Sequence, residues 1–158
     1  MRIGIDARFY NESGVGRYLR NLILNLKVID KKNEYVLFFS SLRKKFLISN
    51  SKFLNKSQSA SWRTNSNFQI KTFKIPPILL DILWNRLHIL PIEWLIGEVD
   101  LFISSDWTQP PTVRAKKATI LYDLIVYRYP QETDKKIVAV QKRRLGWVKK
   151  EANIIFCI

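Results

Sequence analysis

The chain has 158 residues, the length of one ordinary domain. Its 47% apolar content is enough for a packed core and excludes an intrinsically disordered chain. Lys and Arg number 27 against 13 acidic residues, giving a formal net charge of +14 that attracts polyanions. A lysine-rich solvated surface explains that charge as well as a functional basic face does.

The cysteine content and the lack of long apolar runs bear on the compartment. The one cysteine, Cys157, cannot form an internal disulfide, and the N-terminus carries no secretory signal. No apolar run reaches the roughly 18 residues that a membrane span needs. These observations predict a cytoplasmic protein, with peripheral attachment to the inner face of the membrane as the alternative.

Hydrophobic periodicity predicts strands and helices that alternate along the chain. The strands are expected over residues 2–7, 35–39, 68–73, 101–104, 119–122 and 153–158. The helices are expected over residues 15–29, 78–96 (interrupted at Pro91) and 134–151, with a frayed helix and loop over 41–67. This alternation implies crossover connections, so the sequence predicts an α/β fold, a Rossmann-like, open, mainly parallel sheet with helices on both faces.

The sequence predicts one domain over residues 1–158. The last predicted strand ends with the chain, at a point where an open α/β sheet carries a functional loop. We therefore expect a further segment to follow it.

The turn between the first strand and the first helix is a candidate anion site. It contains Gly14 and Gly16, and glycines at a helix start let a ligand approach backbone N–H groups that favour negative charge. Arg17 beside them would strengthen the binding of a phosphate. The turn has neither a GxGxxG pattern nor a P-loop, and its spacing alone slightly favours a tight turn without a ligand.

Two more polar loops follow predicted strands. Asp106 and Trp107 suit a sugar, because a carboxylate accepts hydrogen bonds from hydroxyls and an indole packs on the C–H face of the ring. Packing of Trp107 on a neighbouring loop is the alternative interpretation. Asp123 ends the next strand, a position typical of either a helix cap or a site residue.

Taken in order, these loops resemble the N-terminal domain of the retaining GT-B glycosyltransferases of family 4, the mannosyltransferase-like "glycosyl transferases group 1". The resemblance covers essentially the whole chain. It rests on Met-Arg-Ile-Gly-Ile-Asp-Ala-Arg at 1–8, Ser-Gly-Val-Gly-Arg-Tyr at 13–18, Ser-Asp-Trp-Thr-Gln-Pro-Pro at 105–111, and Tyr-Asp-Leu…Arg-Tyr-Pro within 122–130. It implies a Rossmann-like domain that faces a second, donor-binding domain across a cleft.

The resemblance also implies roles for individual residues. The substrate-binding residues that it implies are Gly14, Val15, Gly16, Arg17, Asp106 and Trp107, with the glycines near the donor diphosphate. The catalytic residues that it implies are Tyr122 and Asp123. Tyr122 stands where the family carries the histidine of a His-Asp-Leu motif, and a tyrosine does not titrate in the range of imidazole.

The function implied by the resemblance is the acceptor-side half of an enzyme that transfers a hexose from a nucleotide-sugar to a glycan or lipid-linked acceptor. No cofactor is expected beyond that co-substrate, and we expect no activity without a separate donor-binding domain. Such a half should expose apolar surface near Trp107 and Pro110-Pro111 and self-associate. The alternative is a non-catalytic module that binds a glycan, an anionic lipid or a partner protein.

The remaining features predict less about function. The single histidine, His88, falls in the predicted apolar helix and is expected to be an ordinary helix-face residue, and no His/Cys cluster predicts a metal site. The apolar run over 78–96 is expected in the core, with a membrane-docking segment as the alternative. The basic helix is expected to be solvated, with anionic lipid as an alternative partner and nucleic acid disfavoured, because a recognition motif is missing.

Overall fold

The computed structural model describes residues 1–12, 14–43, 67–105 and 107–158. The strands are β1 (Arg2–Asp6), β2 (Glu34–Ser40), β3 (Phe68–Phe73), β4 (Leu101–Ser104), β5 (Lys116–Leu121) and β6 (Ile154–Cys157). The helices are α1 (Val15–Ile29), α2 (Pro77–Leu80), α3 (Glu93–Ile96), α4 (Ile125–Arg128) and α5 (Lys135–Glu151), with a π-helical segment over Asp81–Arg86 between α2 and α3.

The six strands form one sheet in the order β3-β2-β1-β4-β5-β6, and every pair is parallel. Ile5 of β1 lies opposite Leu37 of β2 on one side and Ile103 of β4 on the other. This arrangement confirms the prediction of an open, Rossmann-like α/β fold.

Two apolar clusters cover the two faces of the sheet. On one face, Leu19 and Ile23 of α1 pack against the cluster that contains Ile5. On the other, Trp84 is completely buried and packs with Phe102 and with residues of the other helical segments. Burying each such side chain stabilises the fold by about 1.5–3 kcal/mol, so both faces contribute to the core.

Most of the predicted elements are confirmed, and α1, β3 and β4 have the predicted bounds. β5 begins at Lys116, three residues before the predicted start, and α4 was not predicted. The predicted frayed helix and loop over 41–67 falls mostly on residues 44–66, which lie outside the described residues.

The prediction of helix over residues 78–96 is only partly right, and the placement of His88 in a helix is wrong. The helical backbone ends at Arg86, and His88 and Leu90 have φ angles of 53° and 66°. Trp84 Nε1 donates to the Leu90 carbonyl oxygen at 2.9 Å, so the chain folds back on the π-helical segment. The apolar pattern that predicted a helix continues through this turn, although Leu87 and Ile89 are 58% and 50% exposed.

Apolar surface near Trp107 and Pro110 is only partly exposed, because Trp107 is half-buried. Pro110 is buried, whereas Ile154, Ile155 and Phe156 of β6 are 44–47% exposed. β6 is also an edge strand, so some apolar surface is exposed at that end of the sheet, while Ile29, Ile78 and Trp94 are 72–76% exposed elsewhere. Of the helices in the described ranges, none is both long and apolar enough to span a bilayer.

Candidate functional site

The carboxyl ends of β1 and β4 meet where the strand order reverses. The chain proceeds outward from β1 to β2 and β3, and then returns to β4 on the other side of β1. In open parallel sheets, ligands bind in the crevice at such a point. The crevice here is small, with a cavity volume of about 10 Å³ that holds about one water molecule, and its wall includes Asp6, Phe9, Val15, Ser105 and Tyr122.

A buried ion pair forms part of this crevice. Asp6 ends β1 and is 2% exposed. Arg8 Nη2 and Nε donate to Asp6 Oδ2 and Oδ1 at 2.6 and 2.9 Å, and Ser105 Oγ donates to Asp6 Oδ2 at 2.6 Å. Burial raises the pKa of Asp6, but the Arg8 charge and these hydrogen bonds outweigh it and hold the pKa below its ordinary value. Asp6 is therefore ionised at neutral pH.

Arg8 is packed as closely as its partner. Its side chain is 7% exposed, and Nη2 also donates to Thr108 Oγ1. The guanidinium carbon lies 5.3 Å from the Trp84 ring centroid and 5.8 Å from that of Phe38, distances typical of cation–π contacts. These contacts are all internal. The pair therefore joins the loop after β1 to the loop after β4, and we assign it a structural role.

The two glycines before and within α1 have different roles. Gly14 is the exposed N-cap, with a φ of 62° that a side chain would strain. Gly16 is buried, and a Cβ there would lie 2.4 Å from the Phe9 carbonyl oxygen. Close packing of α1 on the preceding loop therefore requires Gly16, so its presence does not by itself indicate a ligand.

The two arginines near this turn, Arg17 and Arg20, differ in whether the protein itself engages their side chains. Arg20 donates to the carbonyl oxygens of Tyr10 and Glu12 and so holds the loop before α1. Arg17 is exposed, and within the described residues its side chain has no ion pair or hydrogen bond. Arg17 is therefore the cation here that remains available to an anionic ligand.

Four aromatic rings flank the crevice in two pairs. Phe9 and Trp107 are stacked, with centroids 6.4 Å apart and planes at 28°, and Tyr18 and Tyr122 meet edge to face at 5.7 Å. Trp107 and Tyr122 are half-buried, so each ring retains accessible surface. Apolar ring faces beside hydroxyl groups suit the alternating C–H and O–H surface of a sugar.

The structure brings several of the predicted site residues together. Val15 and Tyr122 line the crevice, and Trp107 adjoins it through Phe9. Trp107 thus packs on a neighbouring loop and still borders the crevice, so the two interpretations of this residue are compatible. Asp106 lies outside the described residues.

Asp123 lies just before Leu124, the N-cap of α4, and its side chain bonds to the start of that helix. Its side chain is exposed, and Oδ1 accepts the backbone N–H of Ile125, at the start of α4, at 3.0 Å. Among the described crevice residues it is Tyr122, and not Asp123, that follows β5 into the wall.

Asn85 is a positioning residue that sequence reasoning missed. It is buried in the π-helical segment, where its Nδ2 donates to the Trp107 carbonyl oxygen at 2.9 Å and its Oδ1 accepts the Gln109 N–H at 3.1 Å. π-helical turns frequently occur at functional sites. The available signal was a lone amide in an apolar run, since a buried amide needs partners.

Within the described ranges, no group of three His, Cys, Asp or Glu side chains is placed to hold a metal ion. No protein-family model, no curated protein and no solved structure matches this chain. The resemblance to family 4 glycosyltransferases therefore stays a prediction, and the sheet topology and the crevice are the findings on which a function can be proposed.

Proposed function

We propose that this chain is the acceptor-side half of a retaining glycosyltransferase and binds a sugar at the mouth of the crevice between β1 and β4, against the accessible aromatic rings. The observation that carries the proposal is the position of two aromatic pairs at the switch point of a parallel sheet. The sequence motifs support it, because the loops that carry the family resemblance are the loops that meet at this crevice.

The proposed reaction moves a hexose from a nucleotide-sugar to a hydroxyl of a glycan or lipid-linked acceptor. The acceptor oxygen bonds to the anomeric carbon, the bond from that carbon to the nucleoside diphosphate breaks, and the hydroxyl proton is released. Tyr122 can exchange hydrogen bonds with a sugar hydroxyl, while the Phe9–Trp107 pair offers an apolar face. A lipid-linked acceptor would bring the chain to the inner face of the membrane as a peripheral protein.

The crevice supports binding better than it supports proton transfer. Among the described residues that line it, Asp6 is the one carboxylate, and Arg8 and Ser105 already engage its oxygens. A general base must reach the reacting proton in an accessible position. We therefore expect no transfer by this chain unless a donor-binding domain is supplied.

Sugar binding can be tested by saturation-transfer NMR with hexoses and with UDP- and GDP-hexoses. We expect Trp107→Ala to weaken sugar binding by about fivefold, since loss of an aromatic contact costs on the order of 1 kcal/mol. Trp94→Ala is the matched control, because Trp94 is 72% exposed in a groove at the opposite, amino-terminal edge of the sheet. Equal binding by both variants would contradict the placement of the sugar.

A non-catalytic sugar-binding module is the second candidate function. The engaged Asp6 and the tyrosine at position 122 favour it, because Arg8 and Ser105 already bond the Asp6 carboxylate and a tyrosine replaces the imidazole that the resemblance implies. Fusion of a donor-binding domain to the wild type and to Tyr122→His separates the two candidates. Hexose transfer by either fusion protein supports the glycosyltransferase. If both fusion proteins bind sugar but neither transfers it, the non-catalytic module is supported.

A further inference from the structure

Helix α5 repeats its cations every seven residues. The first column consists of Lys135, Lys142 and Lys149, and the second column consists of Lys136, Arg143 and Lys150. Seven residues are slightly less than two turns of an α-helix, so each column runs almost parallel to the helix axis. Neighbouring cations within a column are about 10.5 Å apart, and each column spans about 21 Å.

The charge of these columns is largely uncompensated. All three lysines of the first column are exposed, and none has an ion pair within the described residues. In the second column, Arg143 Nη2 contacts Asp81 Oδ2 at 3.1 Å. The one acidic residue of α5, Glu151, is already bonded to His88 at 2.8 Å and to Lys117. The field of this face is therefore strongly positive.

A shallow trough separates the two columns. Its floor is formed by Ala139 and Gly146, which fall between the columns at 100° per residue and are both exposed. A Cβ at Gly146 would meet no atom within 4 Å. A linear chain could therefore lie along the helix with cations on both sides.

Two other polyanionic partners fit this face less well. The Trp147 ring is stacked on His88 with centroids 3.7 Å apart, and Lys150 Nζ lies 5.0 Å from its centroid, so the ring is occupied and offers no platform for nucleic-acid bases. The apolar side chains Leu145 and Val148 are buried and Ile137 is 37% exposed, so α5 offers one exposed large apolar side chain, less than a bilayer-binding face needs.

We propose that the outer face of α5 binds a linear acidic polysaccharide, whose chain lies in the trough and whose carboxylates pair with the first column. Lysines suit this ligand because they are flexible point charges that adapt to spaced carboxylates. The inference that α5 carries a cationic trough depends only on the geometry of this helix. The choice of a polysaccharide among linear polyanions rests on the proposed function.

The test uses fluorescently labelled oligogalacturonates of increasing length, followed by anisotropy at 50 and 200 mM salt. The triple variant Lys135→Gln, Lys142→Gln, Lys149→Gln should bind at least about tenfold more weakly at low salt. The slope of the logarithm of its binding constant against the logarithm of the salt concentration should become shallower by about two, since three counterion-releasing contacts are lost. The affinity of the wild type should rise with oligomer length until the oligomer spans about 21 Å.

The matched control removes the same net charge from other surfaces by Lys32→Gln, Lys74→Gln and Lys116→Gln, all three of which are exposed. We expect less than about a twofold change in this control. The double variant Ala139→Leu, Gly146→Leu fills the trough at constant charge and should also weaken binding. Circular dichroism checks that each variant is folded.

Three outcomes would overturn the proposal. Equal losses in the two triple variants would show that net charge alone attracts the polymer. Tighter binding of duplex DNA, or of vesicles with 30% anionic phospholipid, through the same first column would assign a different partner. The triple variant of the first column should bind free hexoses like the wild type in saturation-transfer NMR, so failure of the α5 surface is distinguishable from failure of the sugar crevice.

Discussion

The switch-point end of the sheet and the outer face of α5 both carry cations, but they use them in opposite ways. Arg8 is 7% exposed and bonded to Asp6 at 2.6 Å. The first-column lysines Lys135, Lys142 and Lys149 are exposed and have no acidic partner within the described residues. A cation removed from water must be paired, whereas a solvated one keeps its field for a ligand. The net charge of a sequence cannot distinguish these two situations.

The largest effect is expected from breaking the buried pair. Asp6→Asn leaves the Arg8 charge buried without its counterion, and Arg8→Met does the same to Asp6. Each variant should lose about 3–5 kcal/mol of unfolding free energy in urea, the usual cost of an uncompensated buried charge. Replacing Lys142, a single exposed lysine on α5, by Gln should change stability by less than about 0.5 kcal/mol.

The control for this prediction is the double variant Asp6→Leu, Arg8→Met. The double variant should lose less unfolding free energy than the single variants Asp6→Leu and Arg8→Met lose together, because neither charge is left alone. Additive losses would show that the two side chains act independently, and the contrast with α5 would then fail.

This pair also shows where sequence reasoning ended. The amphipathic pattern of α1 was enough to predict its bounds, and the polar stretch after β4 was enough to place Trp107 in a loop. The partner of Asp6 across the crevice, Ser105, is 99 positions away, so nothing in local periodicity indicates it. Asn85 was missed for a similar reason, because its hydrogen bonds depend on a π-helical turn that the 3.6-residue period does not reveal.

A pH dependence should accompany the Asp6–Arg8 pair. The pKa of Asp6 is raised by burial but lowered further by Arg8, so its folded value lies below the unfolded value of about 3.9. The stabilisation is therefore fully present above about pH 4 and is lost as the pH falls through the folded value. The unfolding free energy, measured with urea, should fall more between pH 6 and pH 3 for the wild type than for Asp6→Asn. Equal losses would mean that Asp6 does not contribute.

Gly16 tests the tight packing at the switch point. Gly16→Ala would place a Cβ 2.4 Å from the Phe9 carbonyl oxygen, and this neighbour is backbone that cannot rotate away. We expect a loss of about 1–3 kcal/mol from overpacking. This loss exceeds the gain of roughly 0.5–1 kcal/mol that alanine gives within a helix. Unfolding free energies from urea titration measure the difference, and an increase in stability would contradict the close approach of α1 to its preceding loop.

Gly146 should respond in the opposite direction. It lies inside α5, and a Cβ at this position would meet no atom within 4 Å. Gly146→Ala should therefore raise the unfolding free energy by about 0.5–1 kcal/mol, since alanine restricts the unfolded chain without a clash in the helix. The same substitution in two helices of one domain would then change sign with its surroundings. A loss of stability at Gly146 would mean that another part of the protein covers the trough, and the outer face of α5 could not then receive a polymer.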